Sequence, residues 1–194
     1  MAENLIEIFS KEDFRKWLKK NHLKETHVLV VLHKKHTGKN KTSAAELMKE
    51  AICFGWIDAT VKRLDEDRWG INYRKRTKNS TWSYNTLRYA KELAEKGLMS
   101  REGMKWYEEG KKKLPHDHGI PKNPEVPEEM EKIFVKNKKA KENFENLAPS
   151  TRRTYLRWIF RAKLPETKSK RINEVVRKMS NGELKKITLL KVSS

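Results

Sequence analysis

Residues 46–83, ELMKEAICFGWIDATVKRLDEDRWGINYRKRTKNSTWS, decide how the rest of the chain is read. The stretch opens on the end of an amphipathic helix, turns at Gly55-Trp56, and continues as two runs whose residues alternate in character. Side chains on a strand point alternately to its two faces. Ile57, Ala59 and Val61 are therefore expected on one face, with Asp58, Thr60 and Lys62 on the other. Trp69, Ile71 and Tyr73 alternate in the same way against Arg68, Asn72, Arg74 and Arg76. A hairpin that turns at Asp65-Glu66-Asp67, centred on Glu66, pairs Ala59 with Tyr73, Val61 with Ile71 and Arg63 with Trp69, which gathers the apolar residues on one side. A one-residue slip sets Ala59 against a polar position, so the pattern selects this register.

The opposite face then sets Asp58 against Arg74 and Thr60 against Asn72, with Lys62 and Arg76 nearby. Antiparallel sheets commonly leave one face wet, and that is the plain reading. The sharper reading is a site in which Asp58 orients an arginine and the remaining cations meet an anionic ligand. Cross-strand charge pairs contribute only roughly 0.2–1 kcal/mol, so stability alone is a weak reason for the arrangement.

Upstream, LIEIF at 5–9 suits a short edge strand. Ser10 with Asp13 marks the start of a helix that carries Phe14, Trp17 and Leu18 and runs to about Asn21. HVLVVLH at 27–33 is a continuous apolar run of strand length, as expected of a central strand covered on both faces. The basic KKHTGKNKT that follows lacks the spacing of a phosphate-binding loop and reads as a solvated loop or a general anion contact. Ser43 and Glu46 form a capping box. Cys53 sits among the apolar residues of that helix and reads as an inert thiol, and Gly55 ends the helix.

Downstream of the hairpin, Ser80, Thr81 or Ser83 caps a helix with Leu87, Ala90, Leu93 and Ala94 on one side, closed by Gly97. A further helix from about Ser100 carries Met104, Tyr107 and Leu114. Trp82, Tyr84 and Tyr89 read as packing residues, with base stacking as the alternative. PHDHGIPKNPEVP at 115–127 holds four of the six prolines and is the clearest boundary in the chain. Its His116, Asp117 and His118 lack the further ligands a structural zinc site needs.

Beyond it, Met130, Ile133, Phe134, Ala140, Phe144 and Leu147 mark one long helix closed by Ala148-Pro149. Ser150 or Thr151 is expected to cap the next, where Tyr155, Leu156, Ile159 and Phe160 form an apolar side and Arg153, Arg157 and Arg161 recur at four-residue intervals. Arginine at all three positions suits fork-shaped contacts with phosphate or carboxylate. Pro165 ends this helix, and Thr167 caps a last one that buries Ile172, Val175, Val176 and Met179 before Asn181-Gly182. The expected organisation is an α+β domain over 1–114 with a small, mostly antiparallel sheet and packed helices. A Pro-rich linker over 115–127, a helical region over 128–182 and a frayed tail over 183–194 complete it.

Three stretches carry a resemblance. ELMKEAICFGWIDATVKRLDEDR, NSTWSYNTLRYAKELAEKGLMS and PSTRRTYLRWIFRAKLPETKSKRI are similar to the YdeI/OmpD-associated family, whose members are labelled bacteriocin-protection proteins. The resemblance implies a link to protection against bacteriocins or antimicrobial peptides and brings no catalytic residue set with it.

The 194 residues carry 45 Lys and Arg against 26 Asp and Glu, a net charge of +19. Such an excess attracts polyanions, so nucleic acid, anionic surfaces and phosphorylated small molecules are all admissible partners. One cysteine excludes an internal disulfide framework. The opening MAENLIEIFSKEDF has no apolar signal region, no stretch approaches the roughly 20 apolar residues of a membrane span, and the expected location is the cytoplasm. The leading expectation is a non-enzymatic binding protein. In it Asp58, Thr60, Lys62, Asn72, Arg74 and Arg76 of the hairpin and Arg153, Arg157 and Arg161 of the helix form a cationic groove for an anionic small molecule or nucleic acid. Sequence-tolerant nucleic-acid binding is one alternative. An enzyme using Asp58 as a base beside Arg74, with His33 or His36 nearby, is another, but no nucleophile, metal set or cofactor fingerprint supports it.

Overall fold

Trp56 and Val61 are both apolar and lie five residues apart, an odd spacing that one face of a strand cannot accommodate without an extra residue. The computed structural model, which describes residues 4–39 and 41–183, resolves this conflict with a bulge. Strands β1 (Leu5–Glu7), β2 (His27–His33), β3 (Trp56–Arg63) and β4 (Arg68–Lys75) form one sheet in the order β1-β2-β4-β3. The fold is α+β and the sheet is mixed: β1 runs parallel to β2, while the β2/β4 and β3/β4 pairs are antiparallel.

Near the turn the hairpin has the expected register, with Arg63 opposite Trp69, Val61 opposite Ile71 and Thr60 opposite Asn72. Between Thr60 and Asp58 the register shifts, so Tyr73 faces Asp58 rather than Ala59, and Arg74 faces Ile57 rather than Asp58. The cause is Trp56. Its indole is fully buried and meets Trp17 edge-on at 5.6 Å, which fixes it on the same face as Ile71 and Tyr73. Inserting Ala59 as the extra residue reverses the alternation upstream and carries Asp58 over to the apolar face.

Helices α1 (Lys11–Asn21), α2 (Ala44–Cys53), α3 (Tyr84–Glu95) and α4 (Arg101–Lys111) complete this region. Both expected capping boxes, Ser10 with Asp13 and Ser43 with Glu46, are formed, and Ser83 is the cap of α3. Phe14 and Leu18 of α1, Leu47, Ala51 and Ile52 of α2, and Ala90 and Leu93 of α3 share one core with Val28, Val30, Leu32, Ile71 and Tyr73 of the sheet. Gly103 lets α4 approach α2 so closely that an added Cβ would stand 2.1 Å from the Cys53 carbonyl oxygen. β2 is buried from Val28 to His33, as its continuous apolar run requires.

The chain divides into two compact units, 1–116 and 117–194. The second holds α5 (Glu128–Lys136), α6 (Lys138–Glu145), α7 (Pro149–Phe160) and α8 (Pro165–Ser180) around a separate core of Met130, Phe134, Phe144, Tyr155, Ile159, Ile172, Val175 and Met179. The expected single helix over 130–147 is two helices. Asn137 leaves the helical conformation at φ −136°, ψ 75°, and its side chain accepts the Ala140 amide, ending one helix and capping the other. The caps of α7 and α8 also differ from the expected Ser150 or Thr151 and Thr167. Each helix begins earlier than that, on a proline, Pro149 after Ala148 and Pro165 after Leu164, where the missing N–H matters least. Apart from Glu183, the expected frayed tail lies outside the described residues. Among the described residues no helix is long and apolar enough to cross a membrane.

Candidate functional site

The hairpin brings together only part of its expected face. Thr60, Lys62, Asn72 and Arg74 share one side, with Asn72 Nδ2 donating to Thr60 Oγ1 at 2.8 Å. Thr60, Lys62 and Arg74 are exposed. Asp58 is exposed too but lies on the other side, beside its cross-strand neighbour Tyr73.

Arg76 departs furthest from a solvated cation. Its amide donates to the Gly55 carbonyl just past the end of β4, and its side chain is 2 % exposed. The guanidinium lies over the Trp82 ring, 3.6 Å from the centroid, and Nη1 donates to the Thr81 carbonyl at 3.1 Å. Trp82 is held from behind: a Cβ on Gly110 of α4 would stand 2.5 Å from its ring. Nε and Nη2 of Arg76, and the hydroxyl of Tyr73, are buried and have no hydrogen-bond partner among the described residues. Burial pushes the Arg76 guanidinium down to about 10, against the field of Asp58. Burial pushes the Tyr73 phenol up, and Asp58 adds to that. The sequence pattern places Tyr73 on the apolar face of the hairpin and makes Trp82 a packing residue. Nothing in the local pattern distinguishes a packed tyrosine from one that leaves a polar atom unmatched.

The histidines of the enzyme reading do not join Asp58. His33 lies five residues along β2 from Val28, the residue beside Tyr73, which is about 16 Å at the rise of a strand. His33 Nε2 is 2.8 Å from Glu7 Oε1 and its ring stacks on Phe9, while His36 pairs with Asp67 at 3.0 Å. Glu7, His33, Asp65 and Arg68 border a shallow cavity of about 490 Å³ near the hairpin turn. Burial raises the Cys53 thiol above its ordinary range, in keeping with an inert packing role. Among the described residues no group of His, Cys, Asp and Glu side chains could hold a metal ion.

In the second unit the three arginines of α7 face the segment that precedes α5. Arg153 Nη1 donates to Asn123 Oδ1 at 3.1 Å. Arg157 donates to the Pro121 carbonyl at 2.7 Å and to Asp117 Oδ2 at 3.1 Å. Asp117, inside the Pro-rich stretch, is buried. Arg161 is half-buried with its Nε unmatched, and burial together with Arg157 and Arg171 pushes its guanidinium down despite Asp117. A cleft of about 530 Å³ opens beside Arg153. Apolar residues including Val126, Phe134, Phe144 and Leu156 line it together with Arg152 and Arg153 of α7 and the carboxylates of Glu125, Glu131 and Glu145.

Residues 6–106 match the model of a domain of unknown function (DUF8412), just over half of the chain. The chain belongs to that family. Residues 123–182 match a second model, described as Bacteriocin-protection, YdeI or OmpD-Associated. The stretch 149–172, which resembles that family, falls inside the second match, whereas 46–68 and 79–100 fall within the DUF8412 region. The hairpin, Arg76 and Trp82 therefore lie in the DUF8412 region, and the residues lining the cleft beside Arg153 lie in the stretch that matches the YdeI/OmpD-associated model. No curated protein and no solved structure matches the chain.

Proposed function

We propose that the protein is a non-enzymatic binding protein whose ligand carries an anionic group, held in the cleft of the YdeI/OmpD-associated domain. The observation that carries this reading is the cleft's lining: the adjacent Arg152 and Arg153 border, with Glu125, Glu131 and Glu145 and several apolar residues, a cavity large enough for a small ligand. Guanidinium groups grip carboxylate or phosphate oxygens as a fork, and the half-buried Val126 and the exposed Pro149, which line the same cleft, offer apolar surface to the rest of the molecule. The net charge of +19 works in the same direction by drawing anions toward the protein. A protein of that charge repels cationic peptides, so any protective role of the kind the family's description names is exerted through an anion.

Octanoate and 1-octanol test the reading, since they share an apolar chain and differ in charge. Calorimetric titration should show octanoate binding at least ten-fold more tightly, with the advantage lost in the double variant Arg152→Ala, Arg153→Ala. Equal affinity for the two probes in the parent protein would remove the anionic group from the reading.

Sequence-tolerant nucleic-acid binding is the second reading, favoured by the exposed Lys62 and Arg74 on the open hairpin face. Fluorescence polarisation with a labelled oligonucleotide should then give an affinity that falls steeply with salt, by about 0.7 in log–log slope per phosphate neutralised on a single strand. No binding at low salt dismisses it.

A further inference from the structure

The cleft beside Arg153 is bordered by charges of both signs, Arg152 and Arg153 of α7 and the carboxylates of Glu125, Glu131 and Glu145. Among the described residues neither arginine forms an ion pair with any of the three. Arg153 gives one side-chain hydrogen bond, to Asn123, and Arg152 gives none. Both arginines are half-buried in a cleft that opens to solvent, so their donors can be reached from outside.

The carboxylates are arranged around a point. Lys141 Nζ stands 3.9 Å from Glu131 Oε2 and 3.8 Å from Glu145 Oε1, so two carboxylates on different helices converge on a single ammonium. Both distances lie beyond hydrogen-bonding reach, and the oxygens of the pair keep their acceptor capacity. One lysine against three carboxylates leaves the cleft short of positive charge where the glutamates stand.

A ligand that offers only an anion answers the arginines but adds a negative charge to a cavity that already holds three. A ligand that offers only a cation answers the carboxylates but meets two guanidinium groups. Like charges brought together in a cleft disfavour binding. A molecule that carries both signs, joined by a short spacer, satisfies the two sets at once, and the half-buried Val126 gives the spacer an apolar surface to lie against.

We propose, on the basis that this cleft binds anions, that its ligand is a small zwitterion, with the anionic group on Arg152 and Arg153 and an ammonium between Glu131 and Glu145, where it joins or replaces Lys141.

The test is calorimetric titration of the full-length protein with straight-chain ω-amino acids of two, four, six and eight carbons, each beside the unsubstituted carboxylate of the same length. At least one amino acid should bind at least ten-fold more tightly than its carboxylate. The triple variant Glu125→Gln, Glu131→Gln, Glu145→Gln keeps the shapes and removes the charges. It should abolish that advantage and leave the carboxylate binding no more weakly, which also shows the cleft intact. Lys141→Met removes the competing ammonium and should strengthen the amino acid but not the carboxylate. If octanoate keeps its advantage over 1-octanol while no amino acid exceeds its carboxylate, the zwitterion is overturned and the anion site stands. An advantage that survives the triple variant overturns the placing of the ammonium. Where the triple variant loses the carboxylate as well, Lys141→Met decides, and an amino acid bound no more tightly there than in the parent overturns the zwitterion. Failure of both series to bind removes the anion site itself, and the zwitterion with it.

Discussion

Arg157 and Arg76 stand in different units, both withdrawn from water, and end in opposite situations. Arg157 spends its donors on its own chain: Asp117 and the carbonyls of Ile120 and Pro121 receive them. Arg76, more deeply buried, gives one hydrogen bond to Thr81 and keeps its fork unmatched beside Trp82. A guanidinium satisfied by the surrounding backbone fastens a segment. One that is immobilised but unmatched contributes little to stability. The two positions should thus differ in what they contribute to stability, and substitutions can test the difference.

The largest effect is expected at Arg157. Removing one member of a buried ion pair costs roughly 3–5 kcal/mol in well-enclosed cases. Asp117 is enclosed, while the Arg157 side chain keeps 21 % exposure, so the lower end applies. Arg157→Met should therefore destabilise the second unit by about 3 kcal/mol, read from hydrogen exchange of the α7 and α8 amides in urea. A loss below about 1 kcal/mol would reduce the pair to an ordinary surface contact and remove one side of the contrast.

Next in size is Gly110→Ala. The added Cβ would overlap the Trp82 ring, which is pressed between α4 and Arg76. Overpacking of this kind destabilises by about 1–3 kcal/mol. The displaced ring should also release the guanidinium, seen as faster exchange of the Arg76 Nε–H. Slow exchange that survives the substitution would mean that Trp82 does not hold Arg76 in place.

Arg76→Met should change stability by less than about 1 kcal/mol in either direction, because replacing an under-satisfied buried ion with an apolar side chain is often neutral or favourable. The lost stacking on Trp82 offsets part of any gain. The urea midpoint of the first unit, read from tryptophan fluorescence, checks this: Trp17, Trp56, Trp69, Trp82 and Trp106 all lie in that unit. If Arg76→Met proves as damaging as Arg157→Met, both arginines are fasteners and the contrast collapses.

How much of this was legible in the sequence depended on how far apart the deciding residues lie. The central strand, the capping boxes at Ser10 and Ser43 and the hairpin register from Thr60 to the turn rest on neighbours within a few residues, and all are found. Trp56 and Val61 already conflicted in parity, yet only the packing of Trp56 on Trp17 shows that a bulge resolves the conflict and moves Asp58. The arginine spacing on α7 was visible. Its use was not, because Asp117 lies 40 residues away from Arg157. Asn137 is compatible with a continuous helix by composition, and its break comes from a side chain that caps its own backbone. The unmatched fork of Arg76 has no sequence signature, since it consists of partners that do not arrive.

The smallest effect bounds the contrast from below, at a charge neither unit encloses. Glu46, the third helical residue of the α2 capping box, is held below the ordinary glutamate range, first by the Ser43 amide and then by the Ser43 hydroxyl. Its folded value lies under its unfolded one, so the contribution is fully present above the unfolded value. It is lost as pH falls through the folded one. Unfolding measured between pH 7 and pH 3 should show the first unit losing this increment in the acid range. Glu46→Gln, which keeps the shape and removes the charge, should flatten that part of the profile and leave the arginine contrast at neutral pH untouched. An unchanged acid limb in the variant would mean that the box is held by the Ser43 hydroxyl on the Glu46 amide alone, and that the carboxylate adds nothing to the start of α2.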